Sequence, residues 1–207
     1  MIASSLAVAS RLVSGATVEW RCDPRARNQR IYFANHSSHL DFIVIWSALP
    51  PRLRASVRPV AGRDYWEQDR VRRYLAGRVF HAVLIERSTG VSTQSAAQAS
   101  VERMAREMGE RDSLIVFPEG TRSVNGEVGP FKSGLYHLSR RRPDAELIPV
   151  HLENLNRILP KGECLPVPML SRIVFGPPLA TSASEEEEKD EFLSRARAAL
   201  MQLRAIR

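Results

Sequence analysis

Short apolar runs of strand length alternate along the chain with longer amphipathic stretches. Ile31 to Ala34 precedes Leu40 to Leu49, Val57 to Ala61 precedes Tyr65 to Ala76, and Ala82 to Ile85 precedes Ser92 to Met108. Leu114 to Phe117, Leu147 to His151 and Ile173 to Phe175 are further runs of strand length. Alternation of strand and helix predicts an α/β fold, a single-domain sheet flanked by helices. In such sheets ligands lie beyond the carboxyl ends of the strands, so chemistry is expected in the loops that lead into helices. Three of those loops carry unusual residues in the same relative place: Asn35-His36, Glu86-Arg87, and Pro118-Glu119-Gly120-Thr121-Arg122.

A length of 207 residues with 43% hydrophobic and 26% charged residues suits one globular domain. Residues 1–20 read as a short amphipathic helix whose apolar face, Ile2, Leu6, Leu12 and Val13, packs on the domain or lies in a membrane interface, and residues 21–207 as the main domain. No stretch approaches the roughly 18 to 20 apolar residues that span a bilayer. Cys22 and Cys164 stand far apart without metal-ligand spacing, which fits a reducing, cytoplasmic setting.

Charge narrows the partners. The formal net charge is +7, yet Glu185 to Glu191 holds six of the 23 acids and one of the 30 bases; elsewhere 29 bases face 17 acids. That excess suggests an anionic partner: nucleic acid, a membrane surface or a phosphorylated small molecule. Clusters at Arg52, Arg54 and Arg58, at Arg70, Arg72 and Arg73, and at Arg140 to Arg142 suit a peripheral anionic membrane surface, or equally a solvated basic face. No helix-turn-helix, zinc-finger, RRM or KH pattern is present, so no nucleic-acid partner is expected. The acidic run, preceded by Thr181, Ser182 and Ser184, reads as a capped helix start.

The segment NHSSHLD places His36 at a strand exit and Asp41 five residues later, in the first turn of the next helix. A carboxylate bonded to one imidazole nitrogen fixes the tautomer and lets the other nitrogen act as a base. Against this, Ser38 is a good N-cap, and Ser38-x-x-Asp41 also matches a capping box in which Asp41 only satisfies a backbone N–H. His36 and His39 together invite a metal reading, but no set of further ligands accompanies them. In FPEGTRS, Gly120 allows close backbone approach, Arg122 offers a planar fork for phosphate, and Glu119 takes a positioning role toward Arg122 or a ligand. Arg87 and Lys132 are further cations placed to converge on the same dianion.

NHSSHLD, VLIER, FPEGTRS with FKSG, and IPV at Ile148 to Val150 occur in the order and approximate spacing of four motifs of the glycerolipid acyltransferase family, which this sequence resembles from about Ile31 to Val150. The best-known members of that PlsC-like family are 1-acylglycerol-3-phosphate acyltransferases. The resemblance implies a glycerol-phosphate acyltransferase-like fold, His36 as general base and Asp41 as its orienting carboxylate. It places Arg87, Glu119, Gly120, Thr121, Arg122 and Lys132 at the acceptor phosphate, and gives Pro149 a structural role. It implies an acyl-CoA or acyl carrier protein thioester as donor and a phosphate-bearing lipid acceptor; no metal or other cofactor is expected, and the basic clusters without a span point to a peripheral site on the cytoplasmic face of the membrane. Two departures stand out: His81 to Ile85 lack the glycine and aromatic residue usual before the second-motif arginine, and only about a dozen N-terminal residues stand where members often carry membrane helices.

Direct attack of the acceptor hydroxyl on the thioester needs no acyl-enzyme, and backbone N–H groups at the helix start after His36 are candidate oxyanion donors. The rivals are transfer through Ser37 or Ser38, which lacks a G-x-S-x-G elbow, and a non-catalytic basic binding protein.

Overall fold

Arg30–Ala34 is buried at every position, as expected for a strand covered on both faces. In the computed structural model, Tyr32 and Ala34 pack into one hydrophobic cluster and Ile31 and Phe33 into the other. Full burial of such a side chain stabilises the fold by roughly 1.5–3 kcal/mol. The structure describes residues 2–38, 40–86, 94–123, 125–158, 167, 169–180 and 187–205.

Seven strands form one sheet. They are β1 (Thr17–Trp20), β2 (Arg30–Ala34), β3 (Val57–Gly62), β4 (Val83–Ile85), β5 (Ser113–Val116), β6 (Glu146–Glu153) and β7 (Arg172–Phe175), in the order β1-β7-β6-β2-β5-β3-β4. β6, β2, β5, β3 and β4 run parallel, whereas β7 runs antiparallel to β6 and carries β1 parallel to itself. The expected α/β architecture is therefore present. One feature absent from the sequence reading is β1, which joins the sheet edge beside β7.

One face carries α1 (Ile2–Ser14), α2 (Asp41–Ala48), α3 (Pro51–Arg54) and α4 (Arg63–Trp66), which α5 (Arg70–Tyr74) follows; the other is covered by α6 (Gln94–Met108), α7 (Gly134–Arg141) and α9 (Lys189–Ala205), with the short α8 (Leu155–Ile158) following β6. In α1 the packing residues are Leu6, Ala7 and Val13, while Leu12 is 76% exposed. No described helix is long and apolar enough to cross a membrane.

The single helix expected over Tyr65 to Ala76 is instead α4 and α5, followed by a π-helical turn at Leu75–Val79. Asp69 causes the break: its side chain accepts the Arg72 N–H at 2.8 Å and caps a new helix. The wide turn brings the Phe80 ring against Phe42 and Trp46, with centroids 5.1 and 5.2 Å apart. The Ser/Thr cap expected for the last helix lies outside the described residues; α9 itself starts at Lys189 with Asp190 and Glu191 in its first turn.

Several arginines available to an anionic surface are tied within the fold. Arg58 donates to the backbone of His81 and Glu107, Arg54 to Leu49 O, and Arg142 to Gln29. Arg52, Arg70 and Arg73 remain exposed.

Pro149 pairs in register with Phe33 in the middle of the sheet, an unusual position for a residue without an N–H. Its carbonyl accepts the Gly176 N–H at 2.8 Å just past the end of β7, so the missing donor falls where that neighbouring strand stops.

His151 on β6 is buried, its Nδ1 lying 3.8 Å from Glu153. Burial, and secondarily the charges of Arg204 and Arg172, pull its pKa from 6.5 down to about 4. Between those values the folded protein binds fewer protons than the unfolded chain, so this contribution is complete above pH 6.5 and lost as pH falls toward 4. At about pH 5 the loss amounts to roughly 2 kcal/mol. Thermal melts at about pH 7 and pH 5 should show a smaller drop for His151→Leu than for the native chain; equal drops would refute the assignment.

Candidate active site

β2 ends at Ala34, and the amide of Asn35 takes over from the backbone ladder. Its Nδ2 donates to Leu152 O at 3.0 Å and its Oδ1 accepts from Leu152 N at 2.8 Å. His36 follows directly, at the carboxyl edge of the parallel strands. Its Nδ1 is 2.9 Å from Asp41 Oδ2, and the same oxygen accepts the Ser37 and Ser38 N–H groups at 2.6 and 2.9 Å.

Asp41 Oδ2 thus meets the His36 imidazole and also accepts the Ser38 N–H that the capping-box reading assigns to it. An oxygen that already accepts two amides takes the imidazole as a donor, so Nδ1 carries the proton and Nε2 is left able to accept one. Asp41 is wholly buried, the His36 side chain is 14% exposed, and its ring stacks on Phe117 at 4.2 Å.

Two local expectations are corrected. Ser38 is not the N-cap: α2 begins at Asp41, its N-cap is Leu40, and Ser38 Oγ instead accepts the Leu40 N–H at 3.3 Å. The amides assigned to an oxyanion are also engaged, because Ser37 and Ser38 donate to Asp41, and Asp41 N donates to Ser38 O at 3.4 Å.

The loop after β5 reaches the same place. Glu119 is buried, with Oε1 accepting the His36 N–H at 2.8 Å and Oε2 the Gly129 N–H at 2.9 Å, and Ser123 N donates to His36 O at 2.8 Å. Its carboxylate therefore faces backbone rather than the Arg122 guanidinium named in the sequence reading. Arg122 is half-buried and Thr121 exposed.

Gly120 has φ +69°, and Lys132 lies across it: a Cβ there would stand 2.9 Å from Lys132 Nζ and 3.0 Å from its Cδ and Cε. Glu119, Thr121, Ser123 and Lys132 line a cleft of about 540 Å³ with Asn125 and Glu127. His36, Glu119, Gly120, Thr121, Arg122 and Lys132 therefore belong to two loops joined at the His36 backbone, with Asp41 at the start of α2 beside them, whereas Arg87 and His39 lie outside the described residues.

Sequence reasoning passed over Arg63. It begins α4 directly after β3, in the same relative position as the other loop residues, and lines a cleft of about 450 Å³ with Asp64, Glu67, Gln68 and Glu86. Its Nε is buried without a hydrogen-bond partner. The carboxyl-end rule that singled out the other loops applies to it equally.

Residues 18–153 match the family model described as Acyltransferase, and the chain belongs to that family. It is 27% identical over 184 residues to a 1-acyl-sn-glycerol-3-phosphate acyltransferase of Limnanthes alba, covering 86% of this chain and 60% of that protein. Against the enzyme of the same name from Salmonella typhimurium it is 30% identical over 148 residues, 68% of this chain and 54% of that one. The chain thus spans little more than half the length of these curated relatives. Its fold resembles the crystal structure of the 1-acyl-sn-glycerophosphate (LPA) acyltransferase PlsC from Thermotoga maritima, with TM-score 0.71 and 17% identity over 99% of this chain and 78% of that one.

The crossing at Gly120 is testable. Gly120→Ala forces a Cβ into a left-handed position and against the Lys132 side chain, at about 1–2 kcal/mol of backbone strain. For the phosphate-bearing ligand that the sequence resemblance implies, affinity should fall about tenfold, equivalent to 1.4 kcal/mol, and adding Lys132→Ala should weaken it little further. Full additivity of the two losses, measured by titration, would separate Lys132 from this crossing.

Proposed function

We propose that this protein transfers a fatty acyl group from an acyl-CoA or acyl carrier protein thioester to the hydroxyl of 1-acylglycerol 3-phosphate, giving phosphatidate. The observation that carries the proposal is the 2.9 Å contact from His36 Nδ1 to Asp41 Oδ2, in a loop fastened to the loop that bears Arg122.

In the proposed reaction His36 Nε2 removes the acceptor hydroxyl proton as the oxygen bonds to the thioester carbonyl carbon. Asp41 stabilises the imidazolium that results. Collapse of the tetrahedral intermediate breaks the C–S bond, and the imidazolium returns the proton to the departing thiolate. General-base assistance of this kind contributes about 10²- to 10⁴-fold. Arg122 and Lys132, with Arg87, are assigned to the acceptor phosphate, where a forked guanidinium and a mobile ammonium suit a dianion.

Ser37 and Ser38 are buried, 5% and 0% exposed, which favours direct attack over a serine-bound acyl group. Glycerol 3-phosphate or another lysophospholipid as acceptor uses the same base and the same phosphate contacts. A lipid acceptor requires access to a bilayer, and we assign the protein a peripheral position on the cytoplasmic face. Exposed Arg52, Arg70 and Arg73 and the exposed apolar Leu12, Val71 and Tyr74 support that assignment.

The test is thiol release from palmitoyl-CoA in detergent, with and without lysophosphatidate. Release should depend on the acceptor and fall by at least about 10²-fold in a folded His36→Ala variant. Absence of release with every lysophospholipid, with glycerol 3-phosphate and with an acyl carrier protein donor would leave a binding protein that has kept the family fold.

A further inference from the structure

The third-motif acid has an arrangement that does not suit a ligand contact. Glu119 is 6% exposed, and each carboxylate oxygen is already bound to a backbone N–H, His36 on one side and Gly129 on the other. The approach to Gly129 is close, since a Cβ there would lie 3.2 Å from Oε2. A buried carboxylate next to an acceptor phosphate would repel it, whereas one whose two oxygens each accept a backbone N–H serves as an internal fastening.

Four residues further on, the Ser123 N–H closes on the His36 carbonyl at 2.8 Å. Both backbone polar groups of His36 are therefore held by the loop that contains Arg122. On the other side Asn35 is locked to Leu152 by two hydrogen bonds of 3.0 and 2.8 Å.

We infer that Glu119 is a positioning residue: it fixes the backbone of the base through His36 N and ties the Gly120–Arg122 loop to it, and it does not bind the acceptor. The inference rests on His36 being the base of the proposed reaction. A general base misplaced by about 1 Å loses on the order of 10²-fold in rate, while substrate affinity set by other residues is largely unchanged.

Glu119→Gln is the discriminating variant, because an amide keeps the shape but can accept from only one of the two N–H groups. Expected are a fall in kcat of about 10- to 100-fold, an acceptor KM within about threefold of native, and faster hydrogen exchange at the His36 amide. Gly129→Ala, which crowds Oε2 without removing the carboxylate, should give the same pattern more weakly. Circular dichroism and melting establish that each variant is folded, and should Glu119→Gln fail to fold, Gly129→Ala carries the test.

An acceptor KM raised tenfold or more with kcat kept would overturn the inference and make Glu119 a ligand. An unchanged His36 amide exchange rate would overturn it as well. The exchange measurement needs no turnover, so a protein inactive on every acceptor but with an exposed His36 amide in the variant would refute the proposed reaction and leave the fastening intact.

Discussion

The edge that carries the candidate active site depends on one oxygen. Asp41 Oδ2 accepts Ser37 N, Ser38 N and His36 Nδ1, at 2.6, 2.9 and 2.9 Å. A buried carboxylate oxygen is expensive unless donors surround it; Oδ2 takes its donors from the five residues that precede Asp41, while the buried Oδ1 has no hydrogen-bond partner among the described residues. The same bonds bend the chain from the end of β2 into the start of α2 and leave His36 Nε2 as the acceptor nitrogen. Removing the carboxylate would therefore free two backbone amides and the imidazole at once.

The rest of the sheet supplies rigidity to that bend. β2 is flanked by parallel β5 and β6, and each neighbour sends a group to the residues just beyond its end: Leu152 of β6 to Asn35, and Glu119 and Ser123 after β5 to His36. In a parallel sheet the loops at one edge are brought together by strand order alone, although 83 residues separate His36 from Glu119. Cations on these loops, Arg122 and Lys132, are thus carried on the body that holds His36, the proposed base.

Much of this was legible from the sequence for a physical reason. Central parallel strands are continuous apolar runs, so Ile31 to Ala34 and Leu114 to Phe117 mark themselves, and the residues that follow them fall at the functional edge. Edge strand β1, half-exposed and only four residues long, has no such run. The split at Asp69 and the π-turn before Phe80 follow from capping and from aromatic packing across three elements, neither of which alters hydrophobic periodicity. Glu119 reads from the sequence as positioning Arg122 or a ligand because Arg122 is close in sequence, while His36 N and Gly129 N are close only in the fold. Of the helix-start amides considered as oxyanion donors, the capping box already pointed to Asp41 as the acceptor for Ser38 N, whereas the shorter contact from Ser37 N appears only in the fold.

A double-mutant cycle on the proposed transferase rate, with His36→Gln and Asp41→Asn, shows whether the pair acts as one unit. If Asp41 acts by orienting and supporting His36, the double variant should be about as slow as His36→Gln alone, because the carboxylate has no base left to serve. Losses that multiply independently would show the two residues acting separately and would contradict the account.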